Sequence, residues 1–250
     1  MIVAAIALWP TLPERLTFVV NSERPDALKV LFIGNSFTYS NDMPVMLFRI
    51  LEAGAPKQPL KIGHVTYPSL SLRRQWDFGV AADVIKKSGP WDYVIIQEQS
   101  AGPMRDPDDF VRYATLFDAE IRKAGARTVL LMTWADKDRL EDQKILTQRY
   151  EELGSKLQCI VVPAGTALFR ARDRFPELLL YQGDNHHPGP LGSYLVACTI
   201  YGVLTKSNPN QLPENLTVLK DLNNSALVIL TKEQASQIQS SVWQTISGRF

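Results

Sequence analysis

Residues 28–38 read Leu28-Lys-Val-Leu-Phe-Ile33-Gly-Asn-Ser-Phe-Thr38, an apolar run that ends in a glycine and short polar residues. A run without apolar–polar alternation is typical of a strand that is buried on both faces of a sheet. Gly34 permits a tight turn from this strand into a helix, and Ser36 can project its hydroxyl from such a turn. The segment therefore predicts a buried parallel strand with a candidate nucleophile directly after it.

The same alternation of apolar runs and helical patterns continues along the chain. Because continuous strands that alternate with amphipathic helices form parallel sheets covered on both faces, the pattern predicts a three-layer α/β/α sandwich. Its central parallel sheet should have about five strands, as in flavodoxin-like folds. The further strands are predicted at 61–66, 92–96, 127–133 and 157–162, and the helices at 43–54, 71–87, 107–124, 139–157, 164–172 and 190–204.

These elements place a main domain at 28–207, between an N-terminal extension at 1–27 and a C-terminal extension at 208–250. The C-terminal extension contains a predicted strand and a helix capped at Thr231, and it is too short for a domain, so we expect it to pack on the main one. Residues 1–9 are apolar like the core of a signal peptide, but they lack a basic start and a cleavage site. Three interpretations stay open: a degenerate export signal, a cropped one, and a short segment that packs on the domain. Both a cytoplasmic and an exported protein are thus compatible with the sequence, with the third interpretation slightly favoured.

The composition excludes several classes of protein. Apolar residues make up 45% and charged residues 21%, which excludes a disordered chain, a collagen-like chain and a coiled-coil rod. Lys and Arg number 27 and Asp and Glu 26, so a net charge of +1 predicts no nucleic-acid partner and no general attraction to anionic membranes. No apolar run reaches the roughly 20 residues of a membrane span. Cys159 and Cys198 are expected to be reduced thiols, and without a Cys-x-x-Cys pair they predict no zinc site.

Ligands of parallel sheets bind beyond the carboxyl ends of the strands. Three polar segments of this chain are predicted to lie there. Ser36 follows the first strand, the segment Gln97-Glu-Gln-Ser100 follows the third, and Asp184-Asn-His-His187 precedes the last helix. A serine, an amide that can donate to an oxyanion, and an imidazole beside a carboxylate are the parts of a nucleophilic hydrolase. His64 lies within a strand and is expected to be structural.

The Gly34–Thr38 and Asp184–Pro188 segments resemble the first and last sequence blocks of the SGNH hydrolases, also called the GDSL esterase/lipase superfamily. The chain is most similar to the bacterial branch with a Gly-Asn-Ser-Phe-Thr block, over roughly residues 28–205. The resemblance implies that Ser36 is the nucleophile, that His187 is the general base and that Asp184 orients it. His186 is the alternative base.

The resemblance also implies an oxyanion hole, at which this chain departs from the family. The N–H of Ser36 is one expected donor. Ser69 stands in the segment where the family has a glycine, and Gln99 stands where the family has an asparagine, with Gln97 as the alternate. The family needs no metal or organic cofactor, and none is expected here.

The implied activity is hydrolysis of short-chain acyl esters, above all acetyl esters of carbohydrates, and the implied partner is a small-molecule or carbohydrate ester. Aromatic residues near the strand ends either stack on a sugar or pack internally; they are Tyr39, Tyr67, Trp76, Trp134 and Tyr181. The alternatives are a non-catalytic carbohydrate-binding module on the same fold, a lysophospholipase or thioesterase, and a metal-dependent hydrolase that uses Asp184, His186 and His187.

Overall fold

The computed structural model describes residues 16–54, 59–213 and 217–249. Six strands form the central sheet in the order β1-β3-β2-β4-β5-β6, and β2 through β6 run parallel. β2 therefore lies inside the sheet, between β3 and β4, so the turn that follows it opens near the ends of both neighbours. The strands are β1 (Thr17–Asn21), β2 (Leu28–Gly34), β3 (Leu60–Thr66), β4 (Tyr93–Ile96), β5 (Arg127–Leu131) and β6 (Ile160–Val162).

Helices cover both faces of the sheet, and alternate residues of β2 point into two separate hydrophobic cores, one on each face. Val30 and Phe32 join a core with α2, α8, α9 and α10, whereas Leu31 and Ile33 join a core with α3, α4, α6 and α7. The predicted three-layer α/β/α sandwich is thus confirmed. The helices are α1 (Ser36–Tyr39), α2 (Met43–Gly54), α3 (Leu72–Phe78), α4 (Val80–Lys87), α5 (Gly102–Arg105), α6 (Pro107–Lys123), α7 (Asp142–Leu157), α8 (Ala164–Arg174), α9 (Pro190–Thr205) and α10 (Lys232–Ile246).

The structure adds the short elements α1, α5 and β7 (Val218–Lys220) to those predicted, and it differs more markedly in the sheet and in one helix. The sheet has a sixth strand, β1, which pairs antiparallel with β3 and lies within the span predicted as an N-terminal extension. The single helix predicted over 71–87 is two helices, because Gly79 adopts φ +74°, a left-handed conformation that ends α3 and begins α4.

The chain after α9 packs on the first of the two cores. Strands β7 (Val218–Lys220) and β8 (Ala226–Ile229) form an antiparallel pair, and α10 begins at a capping box in which Thr231 and Gln234 bond reciprocally. Ile238, Val242 and Ile246 of α10 are fully buried. The C-terminal segment therefore completes the hydrophobic layer over this face.

The remaining sequence-level expectations concern the first residues, membrane spans and thiols. Residues 1–9, with their resemblance to a signal peptide, lie outside the described residues. Within the described ranges no helix is long and apolar enough to cross a membrane. Cys159 and Cys198 are both free thiols, and Cys198 is fully buried in α9.

Candidate active site

The turn after β2 is built by close contacts that fix Ser36 at the first position of α1. A Cβ atom at Gly34 would lie 2.3 Å from Thr38 Oγ1, so only glycine fits there. The side chain of Asn35 caps α1 by accepting the N–H of Phe37 at 3.0 Å. Gln97, at the end of β4, accepts the Asn35 N–H at 2.9 Å and the Thr38 hydroxyl at 2.8 Å. The turn is therefore held from the neighbouring strand.

Ser36, His187 and Asp184 form one hydrogen-bonded row. Ser36 Oγ lies 2.9 Å from His187 Nε2, and His187 Nδ1 lies 2.6 Å from Asp184 Oδ2. The other carboxylate oxygen of Asp184 accepts the N–H groups of His186 and His187, each at 3.0 Å. The hydrogen bond from His187 lowers the pKa of Asp184 to about 2, with the two backbone N–H groups adding to the effect. Asp184 is therefore a carboxylate at neutral pH and fixes the orientation of the His187 ring.

His186, the alternative base, has a different carboxylate partner. Its Nδ1 lies 2.5 Å from Asp136 Oδ1, and its carbonyl accepts the indole N–H of Trp134 at 3.2 Å. The His186 ring packs against Phe37, the residue after Ser36, with ring centres 4.8 Å apart. The structure thus brings His187, not His186, to Ser36. Asp136 did not emerge from the sequence, although its position just past a strand end is the signal that selected the other site residues.

The predicted oxyanion donors lie in two segments beside the turn. Ser69 has φ +58°, the left-handed conformation that glycine favours, in a loop whose Leu70 carbonyl accepts the Asn35 side chain at 3.0 Å. The Gln99 side-chain amide donates to Ser100 Oγ at 2.7 Å, so the structure gives it a partner other than Ser36. The Gln97 amide donates to the Glu98 carbonyl, and its oxygen holds the turn by accepting the Asn35 N–H.

Most of the aromatic residues near the strand ends pack internally rather than facing outward. Trp134 is 1% exposed and stacks on Phe37 with ring centres 4.3 Å apart. Tyr67 packs edge-on against Phe78, Trp76 against Phe117, and the Tyr181 hydroxyl donates to the Ala135 carbonyl. Tyr39 is half-buried.

His64 is a strand residue with a local partner. Its Nδ1 lies 2.9 Å from Thr66 Oγ1, and burial lowers the pKa of its imidazole. The sequence prediction of a structural role agrees with this placement.

A cavity of about 230 Å³ is lined by residues that contact the surroundings of the site, and not by Ser36, His187 or Asp184 themselves. Ser100 and Trp134 connect it to the site, because Ser100 bonds to Gln99 and Trp134 stacks on Phe37. Asp136, the partner of His186, also lines it, together with Arg105, Arg139, Met104 and Ile145. Among the described residues, no group of three or more His, Cys, Asp or Glu side chains is placed to hold a metal ion.

Comparison with known proteins supports the fold assignment. No protein-family model and no curated protein matches the sequence. Among solved structures, a DUF4886 family protein from Bacteroides uniformis matches at 18% identity and TM-score 0.68, over 89% of this chain and 95% of that one. A protein classed with the SGNH hydrolases, from Slackia heliotrinireducens, matches at 21% identity and TM-score 0.59, over 72% and 100%. A variant of an acetyl-xylooligosaccharide esterase from Geobacillus matches at 14% identity and TM-score 0.53, over 72% and 94%.

Proposed function

From the SGNH hydrolase fold that this chain shares with those structures, we propose that the protein is a serine esterase acting on short-chain acyl esters. The observation that carries the proposal is the contact of 2.9 Å between Ser36 Oγ and His187 Nε2, with Asp184 bonded to the opposite ring nitrogen. This is the arrangement of a nucleophile, a base and the carboxylate that orients the base.

In the proposed mechanism, His187 Nε2 takes the hydroxyl proton of Ser36 as Oγ attacks the ester carbonyl. The ionised Asp184 stabilises the imidazolium that forms. His187 then returns the proton to the alcohol, which leaves an acyl group on Ser36. Water repeats the cycle on the acyl-enzyme and releases the acid.

The negative charge of the tetrahedral intermediate needs donors that are not already engaged. The N–H groups of Ser36 and Ser69 carry no hydrogen bond to another described residue, so they are available to the oxyanion. The Gln99 amide already donates one of its two N–H groups to Ser100, which orients the side chain toward that residue. We therefore assign the two backbone donors the main part and Gln99 a supporting part.

For the substrate, we propose an acetyl ester of a carbohydrate, with the alcohol part in the cavity between Ser100 and Arg139. Its lining combines apolar side chains such as Met104 and Ile145 with charged groups such as Asp136, a mixture that suits a sugar. The likeness to an acetyl-xylooligosaccharide esterase fold adds support.

Hydrolysis of p-nitrophenyl acetate by the protein and by Ser36→Ala tests the esterase proposal. We expect turnover by the wild type and a loss of about three orders of magnitude or more in the variant, as for other serine nucleophiles. Ser225→Ala, an exposed serine far along the chain, is the matched control and should keep full activity. Equal inactivity of the wild type and Ser36→Ala would favour a non-catalytic binding protein.

A second assay tests the substrate class. Acetylated xylo-oligosaccharides should release acetate faster than palmitoyl esters release palmitate, because the charged side chains of the cavity proposed for the alcohol part can bond to sugar hydroxyls. Turnover of the long-acyl ester without release of acetate from the sugars would contradict a carbohydrate acetylesterase and favour the lysophospholipase or thioesterase alternative.

A further inference from the structure

A buried carboxylate lies beneath the site and takes no part in the mechanism above. Glu98 is the second residue after β4 and is only 3% exposed. Burial raises the pKa of Glu98 to about 7, against the lowering effect of the N–H groups that it accepts. A buried carboxylate is costly unless it is hydrogen-bonded, so its partners indicate what it does.

The partners of Glu98 belong to two different segments of the chain. Its two oxygens lie 3.2 and 3.3 Å from the N–H of Leu72, the first residue of α3. Oε1 also accepts the N–H of Gln99 at 2.6 Å. Glu98 therefore ties the start of α3 to the segment after β4. The loop just before α3 carries Ser69, and the segment after β4 carries Gln99.

The surroundings fix this carboxylate in place. A Cβ atom at Gly102 would lie 2.8 Å from Glu98 Cγ, so a glycine on α5 leaves room for the side chain. The charged groups that face it are Asp106 and Asp109, whose negative charges raise its pKa further. The phenol of Tyr150 on α7 is buried beside it.

We propose that Glu98 is a positioning residue, which holds the Ser69 loop and the Gln99 segment in register with Ser36 so that their donors meet the oxyanion. This inference rests on the proposed esterase function. Glu98 does not touch the reacting atoms; it acts through the two N–H groups that it accepts. Charge-assisted bonds of this kind are about twice as strong as neutral ones, so the ionised form holds the segments best.

The pH dependence follows from that difference. Protonation of Glu98 below about pH 7 removes the charge and weakens both bonds. Activity should therefore fall more steeply with decreasing pH than it would if only the general base were protonated. Glutamine at this position has no charge to lose. Because Oε1 accepts from both Leu72 and Gln99, an amide oxygen placed there can keep both bonds in a weaker, neutral form, while the contact of Oε2 with the Leu72 N–H is lost.

The test compares Glu98→Ala and Glu98→Gln with the wild type, using p-nitrophenyl acetate from pH 5 to 9. At pH 8 we expect Glu98→Ala to lower kcat about 10- to 100-fold with KM within about twofold, since misplaced oxyanion donors act on the transition state. Glu98→Gln, which keeps neutral bonds, should restore part of that loss and show one ionisation fewer on the acid limb. Asp118→Asn, at a buried carboxylate of α6 that pairs with Arg122, is the control and should change neither kcat nor the acid limb.

Amide hydrogen exchange provides a readout that does not depend on turnover. Exchange at the Leu72 and Gln99 N–H groups should accelerate at least tenfold in Glu98→Ala, and by a smaller factor in Glu98→Gln, whose bonds are neutral. Full kcat in Glu98→Ala, unchanged exchange at both amides, or an unaltered acid limb in Glu98→Gln would each overturn the proposal. If the wild type hydrolyses no ester, the proposed function fails, whereas exchange still decides whether Glu98 holds the two segments.

Discussion

Two adjacent histidines of the same sequence motif have separate carboxylate partners. His187 pairs with Asp184, three residues away, and reaches Ser36. His186 pairs with Asp136, fifty residues away, and its ring packs edge-on against His187. Each imidazole is thus held by its own carboxylate, and only one of them contacts Ser36.

The contact with Ser36 predicts a strong asymmetry between the two histidines. His187→Ala should lower kcat for p-nitrophenyl acetate by about three orders of magnitude, because no other base touches Ser36 Oγ among the described residues. His186→Ala should lower it by less than about tenfold, through looser packing against Phe37. Steady-state kinetics on the two purified variants decides this, and a larger loss at His186 would reverse the assignment.

Among single residues, the sequence pattern indicated those site residues that stand in short, recognisable segments. Ser36, Asp184 and His187 stand in two short segments whose spacing is informative, and the structure joins them. The bond between Asp136 and His186 joins residues that are far apart in sequence, so no spacing indicates it. The bond from Gln99 to Ser100 depends on side-chain rotamers, which a sequence pattern does not determine.

Among the elements, the break between α3 and α4 depends on one residue. Gly79, at φ +74°, is the C-terminal cap of α3 and also the N-terminal cap of α4. A Cβ atom added at Gly79 would have no other atom within 4 Å. A side chain there meets no neighbour, so the cost of adding one is that of the backbone conformation alone.

Gly79→Ala should lower the free energy of unfolding by about 1 kcal/mol, the cost of a left-handed conformation for a residue with a Cβ. Gly248→Ala is the matched control, because Gly248 also has open space but has no positive φ. Urea denaturation of both variants measures the difference. Equal stability of the two would show that the conformation at Gly79 carries no such cost.

The order and type of the main strands and helices were predicted from the sequence, because buried parallel strands are continuous apolar runs. β1 was missed because it is a short edge strand in which Val19 is the one buried residue of five, so it carries no long apolar run. Its partner β3 lies about forty residues further along the chain, and pairing at that distance leaves no local pattern. The break at Gly79 was missed because apolar residues recur with helical spacing on both sides of it.

In the whole molecule, one hydrophobic core includes residues from both sides of the predicted boundary between the main domain and the C-terminal extension. α10 belongs to the C-terminal extension by sequence, yet Ile238 lies in the same hydrophobic core as Phe32 of β2. Because Ile238 and Phe32 are buried in the same core, we expect the sheet and the C-terminal helix to unfold as one unit.

Ile238→Ala should lower the free energy of unfolding by about 2–5 kcal/mol, the usual cost of a cavity at a fully buried isoleucine. Ile229→Ala on β8, where the side chain is 69% exposed, is the matched control and should cost about 0.5 kcal/mol or less. Differential scanning calorimetry should give one shifted transition for Ile238→Ala. A separate early transition for the C-terminal segment would contradict a single cooperative unit.

The stacking of Trp134 on Phe37 gives the protein an internal optical reporter. The indole lies flat against the residue next to Ser36, donates its N–H to the His186 carbonyl and lines the neighbouring cavity. An indole so placed emits according to the polarity and order of its surroundings. Ligand entry, acylation of Ser36 or displacement of the His186–Asp136 pair would therefore register as a change in tryptophan emission, without a label.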